Sequence, residues 1–329
     1  LSLHGVVVDS KGRTIKVDIG SSPGDPVFVV PDLEPHLGRS QRKRKLEDGI
    51  RGEELQLLAA HEPLGEKEAG DADDPIRLAL LKHLNDEYGL VEEDLISAEL
   101  SAVPAMGVRE VGLDRGLIGG YGHDDRGCSF ASYAALEAVL AGKDPPVRTA
   151  VAVMYDKEEI GSDSPGAAQS NILELFTDGL LELTVPGSRS SVMRRCLERS
   201  VALSADVKAG INPCFKGVQD PGNAALVGYG VTITKYTGRG GKFAASDASA
   251  ETVGDIRALF NSRGVVWQPS ETGKVDEGGG GTVAKFMAAK NMDVLDVGLP
   301  VLSMHSTLEV IAKSDLWMMR KAMREFYLS

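Results

Sequence analysis

Hydrophobic positions along this chain follow two rhythms. Within residues 1–37, short β-branched runs alternate with turn residues: Gly5 to Val8, then Ser10 to Gly12, Thr14 to Val17, Gly20 to Gly24, and Val27 to Val30 closed by Pro31. That spacing predicts a small β-rich module. From Asp74 the period lengthens to that of a helix, with Ile76, Leu78, Leu80, Leu81 and Leu84 before Gly89, and a further helical stretch is expected over Glu92 to Leu100. Residues 1–102 are therefore expected to form a smaller β-rich domain.

Beyond residue 103, strand, loop and helix patterns repeat. Thr149 to Tyr155 predicts a buried strand, and Ser170 to Leu183 and Met193 to Ser200 predict helices. Val201 to Ser204, Val231 to Thr234, Gly264 to Trp267 and Met292 to Val297 read as further strands, with a helix over Glu251 to Asn261. Ser306-Thr-Leu-Glu309 has the spacing of a capping box and predicts the start of a last helix running towards Phe326. The expected fold of residues 103–329 is α/β, with a mixed, mostly parallel sheet flanked by helices.

Composition narrows the function classes. A chain of 329 residues that is 42% hydrophobic can bury large cores without disulfides. Cys128, Cys196 and Cys214 are scattered and form no CxxC pair, which points to a reducing, cytoplasmic compartment. The net charge of -12 argues against a nucleic-acid partner, and the basic run Arg42 to Lys45 is followed at once by Glu47 and Asp48. No apolar stretch approaches the roughly 20 residues that span a bilayer, so no membrane partner is expected. Leu1 to Val8 reads as a strand already under way, and residues ahead of Leu1 are expected to be missing.

Acidic and histidine residues gather where strands should end, the position at which open α/β sheets place their ligands. Asp124 and Asp125 follow a glycine-rich loop, Glu158 and Glu159 follow the run ending at Tyr155, Asp206 follows Val201 to Ser204, and His305 follows Val301 to Met304. Carboxylates with one imidazole suit Zn, Mn or Co in a hydrolytic site, where two ions share a bridging carboxylate. In an adjacent Glu-Glu pair one carboxylate can bind metal while the other takes a proton from water. The competing reading of such a pair is a solvated loop.

Four segments, Asp124-Asp-Arg-Gly-Cys-Ser-Phe130, Tyr155-Asp-Lys-Glu-Glu-Ile-Gly-Ser162, Leu203-Ser-Ala-Asp206 and Leu302-Ser-Met-His-Ser306, resemble in order four motifs of the M18 metallopeptidases, the aspartyl aminopeptidase family. The resemblance implies a zinc-exopeptidase-like fold and a di-metal aminopeptidase that releases amino-terminal residues from peptides. It implies two divalent ions, zinc with manganese or cobalt as alternatives. Asp124 would bridge them, Glu159 and His305 would complete one, Asp206 would serve the other, and Glu158 would be the general base. It further implies that the smaller domain mediates dimerisation and a tetrahedral assembly of twelve subunits. Lys235 would lie near the substrate, and His36 would reach a neighbouring subunit's site.

The sequence departs from the family pattern at the His-x-Asp motif, at Ala209 and Asn212, and at Phe243, near which the family often has tyrosine. The family's His-x-Asp motif does not occur in it, and is expected ahead of Leu1. Ala209 and Asn212 stand where many members have histidine, which widens the expected specificity from acidic to acidic or neutral termini. Gly238 to Lys242 lacks the P-loop spacing and reads as a substrate-side loop. A sibling di-metal glutamyl aminopeptidase or deacylase, and a non-catalytic scaffold, are the alternative readings.

Overall fold

The computed structural model describes the chain except residues 71, 144, 186, 188, 189 and 241. It divides into two compact units, Leu1–Gly107 and Val108–Ser329. The last strand of the first unit runs to Val103 and pairs with its first strand.

In the first unit, β1 (Ser2–Val8) lies between β2 (Thr14–Ile19) and β3 (Ala98–Val103), antiparallel to both. Helix α1 (Pro75–Tyr88) starts where the Asp74 side chain accepts the Arg77 N–H and Pro75 presets the first turn, and it stops at left-handed Gly89. Val7, Val17 and Leu90 form the core, with Leu84, Tyr88 and Leu100 packed against it. Two expectations are corrected. Glu92–Ser97 is a 3-10 turn and the chain then extends as β3, because the free edge of β1 offers a ladder that outcompetes a weak helical pattern. Val27 to Val30 forms no strand beyond a single bridge from Val29 to Leu58.

The second unit is α/β. Its main sheet has the order β6 (Val201–Ala205), β10 (Asp293–Gly298), β8 (Val231–Thr234), β9 (Trp267–Pro269). Two of its pairings are parallel and one, between β10 and β8, is antiparallel. Successive residues of a strand face opposite ways. Leu295 and Val297 of β10 accordingly join one core with Ala131 and Ala135 of α2 (His123–Leu140), Ile256 and Phe260 of α5 (Ala250–Arg263), and Met319 and Met323 of α7 (Lys313–Tyr327). Val294 joins a second core with Leu173 of α3 (Ile172–Thr184), Leu197 of α4 (Ser190–Glu198) and Met287 of α6 (Ala284–Ala288). Helices therefore cover both faces, and β10 is buried from Val294 to Gly298, its Asp296 included. An antiparallel sheet, β12 (Glu309–Ala312), β5 (Leu117–Gly120), β4 (Arg109–Val111), and a parallel pair, β11 (Pro300–Val301) with β7 (Lys208–Ala209), surround the site.

Three sequence expectations fail here for identifiable reasons. Among the described residues, Thr149 to Tyr155 pairs with no strand; Ala150 and Ala152 pack on the core while Val151, Val153 and Met154 are exposed beside a cavity of about 1720 Å³. Gly264 adopts φ 62°, a conformation that suits glycine, and caps α5, so the strand expected from Gly264 starts only at Trp267. Ser306 to Glu309 opens no helix. The Ser306 hydroxyl accepts the Leu308 N–H, Glu309 begins β12, and α7 begins at Lys313. Among the described residues, no helix is long and apolar enough to cross a membrane.

Candidate functional site

Asp124 sits where β5 turns into α2, with φ and ψ of −86° and 107°, so its carboxylate leaves the line of the helix. The next residue, Asp125, accepts the Cys128 N–H at 3.2 Å and caps the first regular turn. Glu158 and Glu159 lie on a single 3-10 turn following Lys157, whose φ is 60°. That loop closes on itself: Ser162 N–H donates to the Lys157 carbonyl at 3.0 Å, and the Gln169 amide donates to the Gly161 carbonyl at 2.8 Å. His305 lies in the turn between β11 and β12, with φ 63°.

Glu309, whose spacing from Ser306 predicts a helix cap, instead joins these pieces. It is buried, and its Oε1 accepts the His305 N–H at 2.7 Å while its Oε2 accepts the Asp124 N–H at 2.9 Å. One carboxylate thus ties together the backbones of two prospective ligands. Its only sequence signal is proximity to His305.

The side chains converge on one atom. His305 Nε2 is 2.8 Å from Asp124 Oδ2 and 3.2 Å from Glu159 Oε1, and one ligand atom from each residue lies within 4.8 Å of the others. An imidazole nitrogen with two carboxylate oxygens is a donor set that suits zinc and leaves a position open, as hydrolytic centres require. The electrostatics agree. Burial, then the charges of Asp206 and Glu159, push the Asp124 carboxyl up to about 7. Burial pulls His305 down, but Glu159 and Asp124 outweigh it and raise its affinity for a proton. Crowded carboxylates of this kind are relieved by a bound cation.

The remaining expected residues are placed differently. Glu158 is half-buried, and burial followed by Asp206 and Glu159 raises its pKa. Asp206 follows β6, lines the same cavity as Asp124, Glu158 and Glu159, and stays outside the group of three. It pairs with the buried Lys208, whose Nζ lies 3.6 Å from Asp206 Oδ2. Burial opposes the Lys208 charge, yet Asp206 and Asp296 hold its pKa above the ordinary lysine value.

Lys235 lines a separate cavity of about 350 Å³ with Ser270 and Glu271. Its ammonium donates to Asp247 Oδ1 at 2.5 Å and to the Ala248 carbonyl, while Lys242 donates to Asp247 Oδ2 at 2.6 Å. The lysine is thus already paired. Of the loop Gly238 to Lys242, Gly241 lies outside the described residues. His36 is exposed in the first unit, whereas the other site residues belong to the second.

Comparison with known proteins gives a consistent assignment. The M18 family model, described as aminopeptidase I zinc metalloprotease, matches residues 1–327. A probable M18 family aminopeptidase 1 of Borrelia garinii subsp. bavariensis is 42% identical over 329 residues, which cover 99% of this chain and 70% of that protein. The Thermotoga maritima protein of the same description is 42% identical over 317 residues, covering 96% and 68%. Among solved structures, an M18 family aminopeptidase from Thermotoga maritima superposes with a TM-score of 0.93 at 40% identity, over 99% of this chain and 70% of that one. Aminopeptidase I from Clostridium acetobutylicum gives 0.90 at 35% identity, over 100% and 69%.

Proposed function

This chain belongs to the M18 family of zinc metallo-aminopeptidases, and from that premise we propose that it removes acidic or neutral amino-terminal residues from peptides, with Glu158 as general base at a di-metal centre. The convergence of Asp124 and Glu159 on His305 Nε2 carries the reading. Asp124, Glu159 and His305 would hold one ion, and Asp206, with Asp124 shared, a second. Zinc, when bound, supplies Lewis-acid polarisation of the scissile carbonyl and acidifies water.

The protein's own groups do the rest. Glu158 is adjacent in sequence to a ligand and is not part of the ligand group, so its carboxylate is free to take a proton from the attacking water and return it to the departing amine. Its raised pKa brings it closer to neutral pH, where a base both accepts and releases protons efficiently. Lys235 would act on the substrate side chain from beside Asp247, and His36 would serve a neighbouring subunit.

Self-association through the first unit accompanies this reading, as a dimer and a tetrahedral dodecamer. Leu37, Leu46, Ile50 and Ile96 are exposed on that unit, apolar area that a partner subunit would cover. Three free cysteines suit a reducing cytoplasm. The deciding experiment is Glu158→Gln. Zinc content should stay at the wild-type level while turnover of aminoacyl p-nitroanilides falls by roughly 10²–10⁴; a variant that keeps its turnover removes Glu158 from the mechanism.

A further inference from the structure

Lys208 is a buried lysine that the mechanism above does not use. It sits on β7, 5% exposed, with its Nζ 3.6 Å from Asp206 Oδ2. Lysine is almost never fully buried unless paired. Three acids act on it, Asp206, Asp296 and Asp125. Asp296 is buried and accepts the Thr282 hydroxyl at 2.7 Å, and Asp125 is engaged by the Cys128 N–H. Asp206 and Asp125 both border the cavity carrying the ligands, and Asp206 is the one paired with the Lys208 ammonium, at 3.6 Å.

Asp124, Glu159 and Asp206 together carry three negative charges. The Lys208 ammonium, 3.6 Å from Asp206, offsets part of the Asp206 charge, so a divalent ion at Asp206 would meet a weaker attraction than one held by Asp124, Glu159 and His305. At separations of a few ångströms and an effective dielectric of about 20, a fixed unit charge changes the binding of a divalent ion by well over tenfold.

Resting on the metal-centre reading above, we propose that Lys208 is a positioning residue that supplies a fixed positive charge behind Asp206, so that the centre holds one ion tightly at Asp124, Glu159 and His305 and a second, at Asp206, loosely. The lysine holds the Asp206 carboxylate in place and at the same time draws on its negative charge. It makes the second ion exchangeable.

The test is titration of the metal-free protein with Zn²⁺ by calorimetry and chelator competition, for the wild type and for Lys208→Met, Lys208→Gln and Lys208→Arg. The wild type should bind in two steps, the second at least about tenfold weaker. The two neutral variants should keep the first step within about threefold and tighten the second by about tenfold or more, whereas Lys208→Arg should retain the wild-type pattern. Two equal steps in the wild type overturn the proposal, as does a folded neutral variant whose second step is unchanged or weaker. Should neither neutral variant fold, Lys208→Arg decides: a second step that tightens although the positive charge is kept overturns the proposal. Absence of even the first step would instead defeat the metal-centre reading itself, an outcome distinct from loss of the Lys208 effect alone.

Discussion

His305 Nε2 lies 2.8 Å from Asp124 Oδ2, although 181 residues separate the two in the chain. The antiparallel pairing of β12 with β5, in which Glu309 faces Gly120, carries the two segments to the same edge. Glu309 then fixes both backbones by accepting their N–H groups.

Glu309→Gln should therefore weaken zinc binding by about 10–100-fold, the range for loss of a group that orients ligands. Glu309→Ala should also lower stability, since each buried N–H left without an acceptor costs about 1–3 kcal/mol. Competition with a fluorescent chelator and urea unfolding measure the two effects. Wild-type zinc affinity in Glu309→Ala would show that the clamp is dispensable.

The metal-free protein should lose stability as pH rises towards neutrality. Asp124 is raised from 3.8 to about 7 and Glu271 from 4.5 to about 7, in both cases chiefly by burial. Between those limits the folded state keeps protons that the unfolded chain has released, so stability falls with rising pH. His305, raised from 6.5, acts in the same sense just above that value, while His123, lowered by burial, opposes it below 6.5. Scanning calorimetry should give a higher Tm at pH 5 than at pH 7.5 without metal, and added zinc should narrow or reverse the difference. A metal-free Tm that climbs across this interval contradicts the account.

Gly298→Ala should disturb the Asp206 side of the centre. A β-carbon at Gly298 would lie 1.6 Å from the Asp206 carbonyl oxygen, so the backbones of β10 and the residue after β6 approach as closely as they do only because no side chain intervenes. The strain should cost about 1–3 kcal/mol or more in urea unfolding, together with a loss of turnover. A fully active, equally stable variant would mean that Asp206 can move freely.

Asp247 should set how strongly the Lys235 side selects for charge. Its carboxylate neutralises one of the two lysines it binds, Lys235 and Lys242. Asp247→Asn should raise kcat/KM for aspartyl relative to leucyl p-nitroanilide several-fold, and Lys235→Met should lower the same ratio. If both variants leave the ratio unchanged, neither lysine faces the substrate side chain.

Elements whose signals are local are legible in the amino-acid sequence. Asp74, Pro75 and Gly89 mark both ends of α1, and Val294, Leu295 and Val297 within Met292 to Val297 mark β10, buried on two faces. Thr149 to Tyr155 carries an equally good strand pattern and forms no ladder with the described residues, because β-branched alternation records a preference and a strand needs a hydrogen-bonding neighbour. Ser306 to Glu309 matches a capping box, but its glutamate has stronger partners in two distant N–H groups.

The amino-acid sequence by itself determined the chemical inventory and the local turns: which carboxylates and which imidazole are available, and where helices and strands begin and end at caps and glycines. Tertiary structure alone decided that Asp124, Glu159 and His305 meet at one point, that Asp206 stands beside a buried lysine, and that Lys235 is already paired. The physical reason is that ligand geometry is set by hydrogen bonds and strand pairing between segments far apart in the chain. Short-range periodicity carries no record of those long-range contacts.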